Sequence, residues 1–133
     1  MKYWLVKSEP FTFSWDKFVK EKTASWDGVR SYPGRKNLRE MQKGDQVLFY
    51  HSMEGLEVVG IAEVTREAYQ DPTTEGDWSA VDLKPLKPLK KPVPLTAIRE
   101  EKKLQDIYLV KQARLSVMPL EKAAFEHIVK MGS

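Results

Sequence analysis

The chain has 133 residues with 41% hydrophobic content, enough for one domain, spanning 1–133, that buries a core without covalent staples. It contains no cysteine, which excludes a disulfide scaffold, a Cys-based zinc site and thiol catalysis. Net charge is +3, but residues 54–77 hold seven acids against one Arg and residues 84–103 hold seven basic residues against two acids, so the surface is electrostatically polar. Residues 3–7 are aromatic and β-branched and read as a buried strand, closed by Ser8-Glu9-Pro10 because Pro lacks a ladder donor. Ser14 caps a short helix with Trp15, Phe18 and Val19 on one face. A second short helix follows Pro33-Gly34, with Leu38 and Met41 inward. Lys43-Gly44-Asp45 turns into a strand over 46–50, and Met53-Glu54-Gly55 turns again into a strand over 57–66, an antiparallel hairpin. After a loop over 69–77, residues 78–86 read as another strand. The Lys-Pro pairs at 84–85, 87–88 and 91–92 reject helix and favour an extended edge or crossover. Residues 95–99 and 104–107 each read as a helical turn, and 115–117 as the last strand. Pro119 then opens a C-terminal helix with Leu120, Ala124, Phe125, Ile128 and Val129 inward. These elements add up to an α+β fold, a small barrel of five or six strands with flanking short helices and a C-terminal helix.

The stretch 25–39 stands apart. It sets Trp26 and Tyr32 among Arg30, Arg35, Lys36 and Arg39 with one acid, Asp27, while Gly28, Pro33 and Gly34 interrupt regular structure. Flat rings beside phosphate-seeking charges suit stacking on a nucleobase whose backbone is held electrostatically. A core-plugging Trp26 with solvated arginines is the competing reading. Trp4 and Trp15, mid-strand and on an amphipathic helix, read as core.

Several chemistries lack support. No P-loop or Gly-x-Gly-x-x-Gly fingerprint occurs, so no nucleotide cofactor is expected. The two histidines, His51 and His127, offer no helical pair for zinc, and no metal is expected. His51 and Ser52 are adjacent at a strand end and point to opposite faces, which rules out a local nucleophile–base pair. No apolar run approaches the roughly 18 residues of a bilayer span, and the apolar run at the N-terminus is too short for a signal peptide. The expectation is a cytoplasmic protein without a membrane partner. Polar residues gather instead at strand ends: Lys7-Ser8-Glu9, Tyr50-His51-Ser52, and Gln112 with Arg114. Strand ends of a small barrel line one mouth, where Ser8, Ser52 and Trp26 or Trp78 meet a ligand.

The segments 3–10 (Tyr-Trp-Leu-Val-Lys-Ser-Glu-Pro), 26–32 (Trp-Asp-Gly-Val-Arg-Ser-Tyr), Asn37-Leu38-Arg39, Gly44-Asp45, 49–52 (Phe-Tyr-His-Ser), 59–64 (Val-Gly-Ile-Ala-Glu-Val) and 114–117 (Arg-Leu-Ser-Val) run in order along nearly the whole chain. In these the chain resembles the EVE domain family of the PUA-like superfamily, which also contains YTH domains. The resemblance implies a PUA-like barrel and a non-catalytic pocket for a modified base, a modified cytosine in DNA or a methylated adenine in RNA. It places the pocket at Lys7, Ser8, Trp26, Tyr32, His51, Ser52 and Trp78, with Arg30, Arg35, Asn37, Gln112 and Arg114 as polar or phosphate contacts. Tyr32-Pro33 stands where the family usually has Tyr-Gln. A methyl group is worth about 0.8 kcal/mol of burial, so discrimination needs a close-fitting aromatic wall. The base must also leave its stack. An alternative is a small hydrolase of the ASCH type acting on modified nucleosides, with Lys7 and either Glu9 or Glu63 as proton carriers. A third is a protein-docking edge along the Lys-Pro segment, though Lys and Pro at an edge more often prevent pairing.

Overall fold

Side-chain alternation in the first strand decides the architecture. In the computed structural model, which describes residues 1–133, β1 (Tyr3–Ser8) sends Trp4 and Val6 into one buried cluster and Leu5 into another. Both faces of the strand are therefore covered. β3 (Gln46–His51) repeats the pattern, Val47 and Phe49 against Leu48 and Tyr50, and pairs with β1 in parallel. β4 (Glu57–Gln70) returns antiparallel to β3, as the turn residues between them predict, and continues past the expected end at 66. β5 (Ser79–Pro94) pairs with β4 on one side and with the three-residue β2 (Ala24–Trp26) on the other, while β6 (Val117–Leu120) pairs with β1. The sheet order is β2-β5-β4-β3-β1-β6. The class is α+β with six strands, as expected, but the expected barrel does not close: β2 and β6 do not pair and remain the edges of an open sheet.

Helices cover the two faces. α1 (Trp15–Glu21) and α2 (Tyr32–Glu40) bury Trp15, Phe18 and Leu38 with Trp4 and Phe49. Ser14 caps α1 by accepting from the Lys17 N–H at 3.1 Å. Met41 is inward as expected, but Val19 is 46% exposed, so the apolar face of α1 is narrower than its spacing predicts. The other face carries α3 (Leu95–Glu100), a 3₁₀ turn (Lys102–Leu104), α4 (Tyr108–Lys111) and α5 (Lys122–Met131), which bury Ile98, Leu104, Leu109, Phe125 and Ile128. Pro119 does not open the last helix. It lies within β6 opposite Trp4, and Leu120 is a strand residue opposite Tyr3. The Lys-Pro repeats continue β5 as an extended segment that pairs with no strand but β4 beyond Leu83, as their prolines predict, while the Lys91 N–H donates to the Gly132 carbonyl at the end of α5.

Two contacts fix the frame. The Trp4 indole N–H donates to the buried Asp45 carboxylate at 3.0 Å, and the same carboxylate accepts from the Lys2 and Gln42 backbone N–H groups. Gly60 lies against the Trp15 ring, where a Cβ would stand 2.5 Å from the indole. No helix is long and apolar enough to cross a membrane.

Candidate functional site

The ends of β1 and β2 build the main cleft, about 1170 Å³ in volume. β2 is only three residues long, yet its pairing of Trp26 with Val81 sets the indole at the cleft wall. Trp26 is half-buried, packed edge-on against Phe49 (5.7 Å) and Phe13 (6.2 Å). It both anchors the aromatic core and lines the cleft, so the two readings of this residue are not exclusive. Lys7, Ser8, Arg30 and Arg114 of the expected set line the same cleft, as do Thr12, Phe13 and Asp27, which the sequence reading did not assign. Phe13 is invisible in sequence because it lies in an irregular segment, and only the approach of that segment to β1 brings it here. The Ser8 hydroxyl donates to the Phe13 carbonyl at 2.5 Å and so fixes this segment.

The rim is held by ion pairs between the 25–39 stretch and the 71–79 segment. Asp71, between Gln70 and Pro72, has a fully buried side chain and accepts from the Gly28 N–H (2.8 Å), Arg30 (2.9 Å), and the Thr73 N–H and hydroxyl. Burial opposes its charge, but the bonds from Thr73, Arg30 and Gly28 outweigh this and hold the carboxyl far below the usual range. Arg35 and Arg39 both reach Asp77. Arg30 and Arg35 thus spend much of their hydrogen-bonding capacity inside the protein. Arg114 is exposed and makes no ion pair.

The other expected residues separate from this cleft. Tyr32, 70% exposed, stacks on Trp78 with centroids 5.7 Å apart, and the Arg35 guanidinium lies 4.9 Å from the Tyr32 ring and 5.2 Å from Trp78. This aromatic–cation stack stands on the flank and lines neither the Trp26 cleft nor the cleft at Ser52. His51 Nε2 accepts from the Trp15 N–H at 3.0 Å, which makes it a cap for α1. Burial pushes its pKa down, while Glu57 and Asp16 pull the other way. Asn37 is buried and donates to the Val117 carbonyl at 2.7 Å, tying α2 to β6. Gln112 is exposed, and its backbone closes the turn after α4.

Ser52 lines a second cleft of about 440 Å³, which shares Lys7, Glu9, Arg114 and Ser116 with the first. Lys7 donates to the Ala113 carbonyl at 2.6 Å, and burial pushes its pKa down. Lys7 and Glu9 share both clefts without forming an ion pair. Glu63 does not approach them: it sits opposite Gln46, at the far end of β3 from the partner of Lys7, and pairs with Lys84 at 3.6 Å. No group of three or more His, Cys, Asp or Glu side chains converges as a metal site.

A mixed α+β sheet covered on both faces carries an aromatic cleft where β1 and β2 end. The chain belongs to the EVE domain family, whose pattern matches residues 2–131. Mouse thymocyte nuclear protein 1 is 31% identical over 164 residues, covering 97% of this chain and 73% of that protein. A solved protein of Rhodopseudomonas palustris is 46% identical with a TM-score of 0.95, covering 99% of this chain and 93% of that one. Human THYN1, solved in complex with DNA containing 5-methylcytosine, is 28% identical with a TM-score of 0.91, covering 100% and 98%. The YTH domain of Zygosaccharomyces rouxii MRB1 shares the fold at 16% identity and a TM-score of 0.64, covering 99% and 86%.

Proposed function

We propose that this domain is a non-catalytic reader of a modified nucleobase, received in the Trp26 cleft. The observation that carries the reading is Trp26 itself, a half-buried indole braced by Phe13 and Phe49 in the wall of an open cleft. A face so held is a rigid stacking surface, worth about 1–3 kcal/mol per base. The unpaired Arg114 and the amine of Lys7 stand beside it for the backbone. Asp27, exposed in the same cleft, suits an exocyclic amino group, as carboxylates accept from cytosine N4. The complex of human THYN1 with DNA containing 5-methylcytosine supports modified cytosine as the first base to test.

The charge balance fits modest, salt-sensitive affinity. A base that must leave a duplex costs a few kcal/mol and a single strand less, so single-stranded sites are bound better. Equilibrium binding of matched DNA and RNA strands, each with cytosine, 5-methylcytosine, adenine or N6-methyladenine at one position, tests the reading. A preference for one modified strand that is lost in Trp26→Ala supports it. Equal affinity for modified and unmodified strands overturns it.

A further inference from the structure

The second cleft has features that the Trp26 cleft does not use. At its floor Tyr50 is 2% exposed, and its hydroxyl makes no hydrogen bond within the protein yet remains open to the cleft. Buried tyrosines ordinarily find a partner for this group, and leaving it without one is unfavourable. Here the partner comes from the cleft, where a bound group can replace water. The same cleft is lined by three cations, Lys7, Arg99 and Arg114, against one carboxylate, Glu9. Neither Arg99 nor Arg114 is ion-paired.

The apolar rim is equally specific. Met53 and Leu56 are 76% and 43% exposed, and both hold positive φ angles (68° and 44°), a conformation unfavourable for side chains of their kind. The turn thus spends backbone energy to present two apolar side chains beside a cationic pocket. At about 440 Å³ the cleft falls within the range of small-ligand sites.

We propose that this second cleft seats the nucleotide adjoining the recognised base, its phosphate held by Arg99, Arg114 and the Tyr50 hydroxyl and its base resting on Met53 and Leu56. Continuity with the first cleft fixes the occupant: the residues common to both are Lys7, Glu9, Arg114 and Ser116, so a chain leaving the Trp26 cleft crosses two cations into the second. The inference rests on the modified-base reading. It adds to it a footprint of two nucleotides.

The test is an NMR titration of the whole chain with 5-methyl-dCMP and with the two dinucleotides that carry 5-methylcytosine at the 5′ or the 3′ position beside thymidine. One dinucleotide is expected to bind about fivefold tighter than the mononucleotide, the scale of one net hydrogen bond, and to shift the amides of Ser52, Met53 and Leu56. Tyr50→Phe, which keeps the buried ring, and Arg99→Gln are each expected to erase that gain and leave mononucleotide affinity unchanged. Arg99→Gln should also reduce the salt slope for single strands by about 0.7, the value of one phosphate contact. No gain for either dinucleotide, or a gain that survives in both variants, overturns the footprint. Mononucleotide binding that is absent, or unaffected by Trp26→Ala, overturns instead the reading on which it rests.

Discussion

The guanidinium of Arg30 lies 2.9 Å from the carboxylate of Asp71, whose side chain is wholly buried. The same carboxylate takes the Gly28 N–H at 2.8 Å, two residues from Trp26, so this pair fixes the backbone that carries the cleft wall. Gly28 has a φ of +77°, a conformation natural to glycine, which lets its N–H turn toward the acid.

Asp71→Ala should therefore be destabilising. It leaves the part-buried Gly28 and Thr73 N–H groups unpaired and Arg30, itself 41% exposed, without its counter-charge, a loss of about 1–3 kcal/mol. Thermal unfolding measures it. Because the folded carboxyl lies below its ordinary value, the stabilisation is present above about pH 4, the unfolded carboxylate range, and is lost as pH falls further toward the folded pKa. A shallower acid limb in Asp71→Asn than in the parent is the expected signature.

His51 should titrate below the ordinary histidine value, since burial disfavours its charge and its Nε2 must stay unprotonated to accept from Trp15. Here the unfolded chain binds the proton more readily than the folded one. Stability is then highest above about pH 6.5 and falls as pH drops from there toward the lower folded pKa. NMR titration of the ring gives the pKa. The melting temperature of His51→Ala should vary less over this window than that of the parent.

Gly60→Ala should destabilise by about 1–3 kcal/mol, the usual cost of overpacking a core. The added Cβ would meet the Trp15 ring at 2.5 Å, and Trp15 is held between Phe18 and Phe49 with little room to move. Denaturant unfolding gives the difference. A midpoint equal to that of the parent contradicts the packing.

Sequence patterning reached those parts of the fold that short-range chemistry specifies. Ser14 before an apolar face marked α1, and the glycines around 44 and 55 marked the β3–β4 hairpin. β2 is not legible because its three residues become a strand only through pairing with β5, far along the chain. Pro119 misleads because its ring satisfies a helix start as readily as a β6 position. In the candidate site, Lys7, Ser8, Trp26, Arg30 and Arg114 share one cleft, while Tyr32 and Trp78 meet each other on its flank. His51 and Asn37 carry hydrogen bonds across 36 and 80 residues, which no local spacing announces. Asp71 offered one local hint, an acid followed by Pro-Thr, the composition of an Asx turn.

Affinity of the parent and of Trp26→Ala for a single strand with one 5-methylcytosine, set against its unmodified counterpart, tests the central claim most directly. The indole is only partly buried, at the end of the three-residue edge strand β2, and circular dichroism checks that the variant keeps its fold. The account predicts tighter binding of the modified strand by the parent. It also predicts a loss of about 1–3 kcal/mol on removing the indole, with the preference abolished. A folded Trp26→Ala protein that binds both strands as the parent does would contradict it.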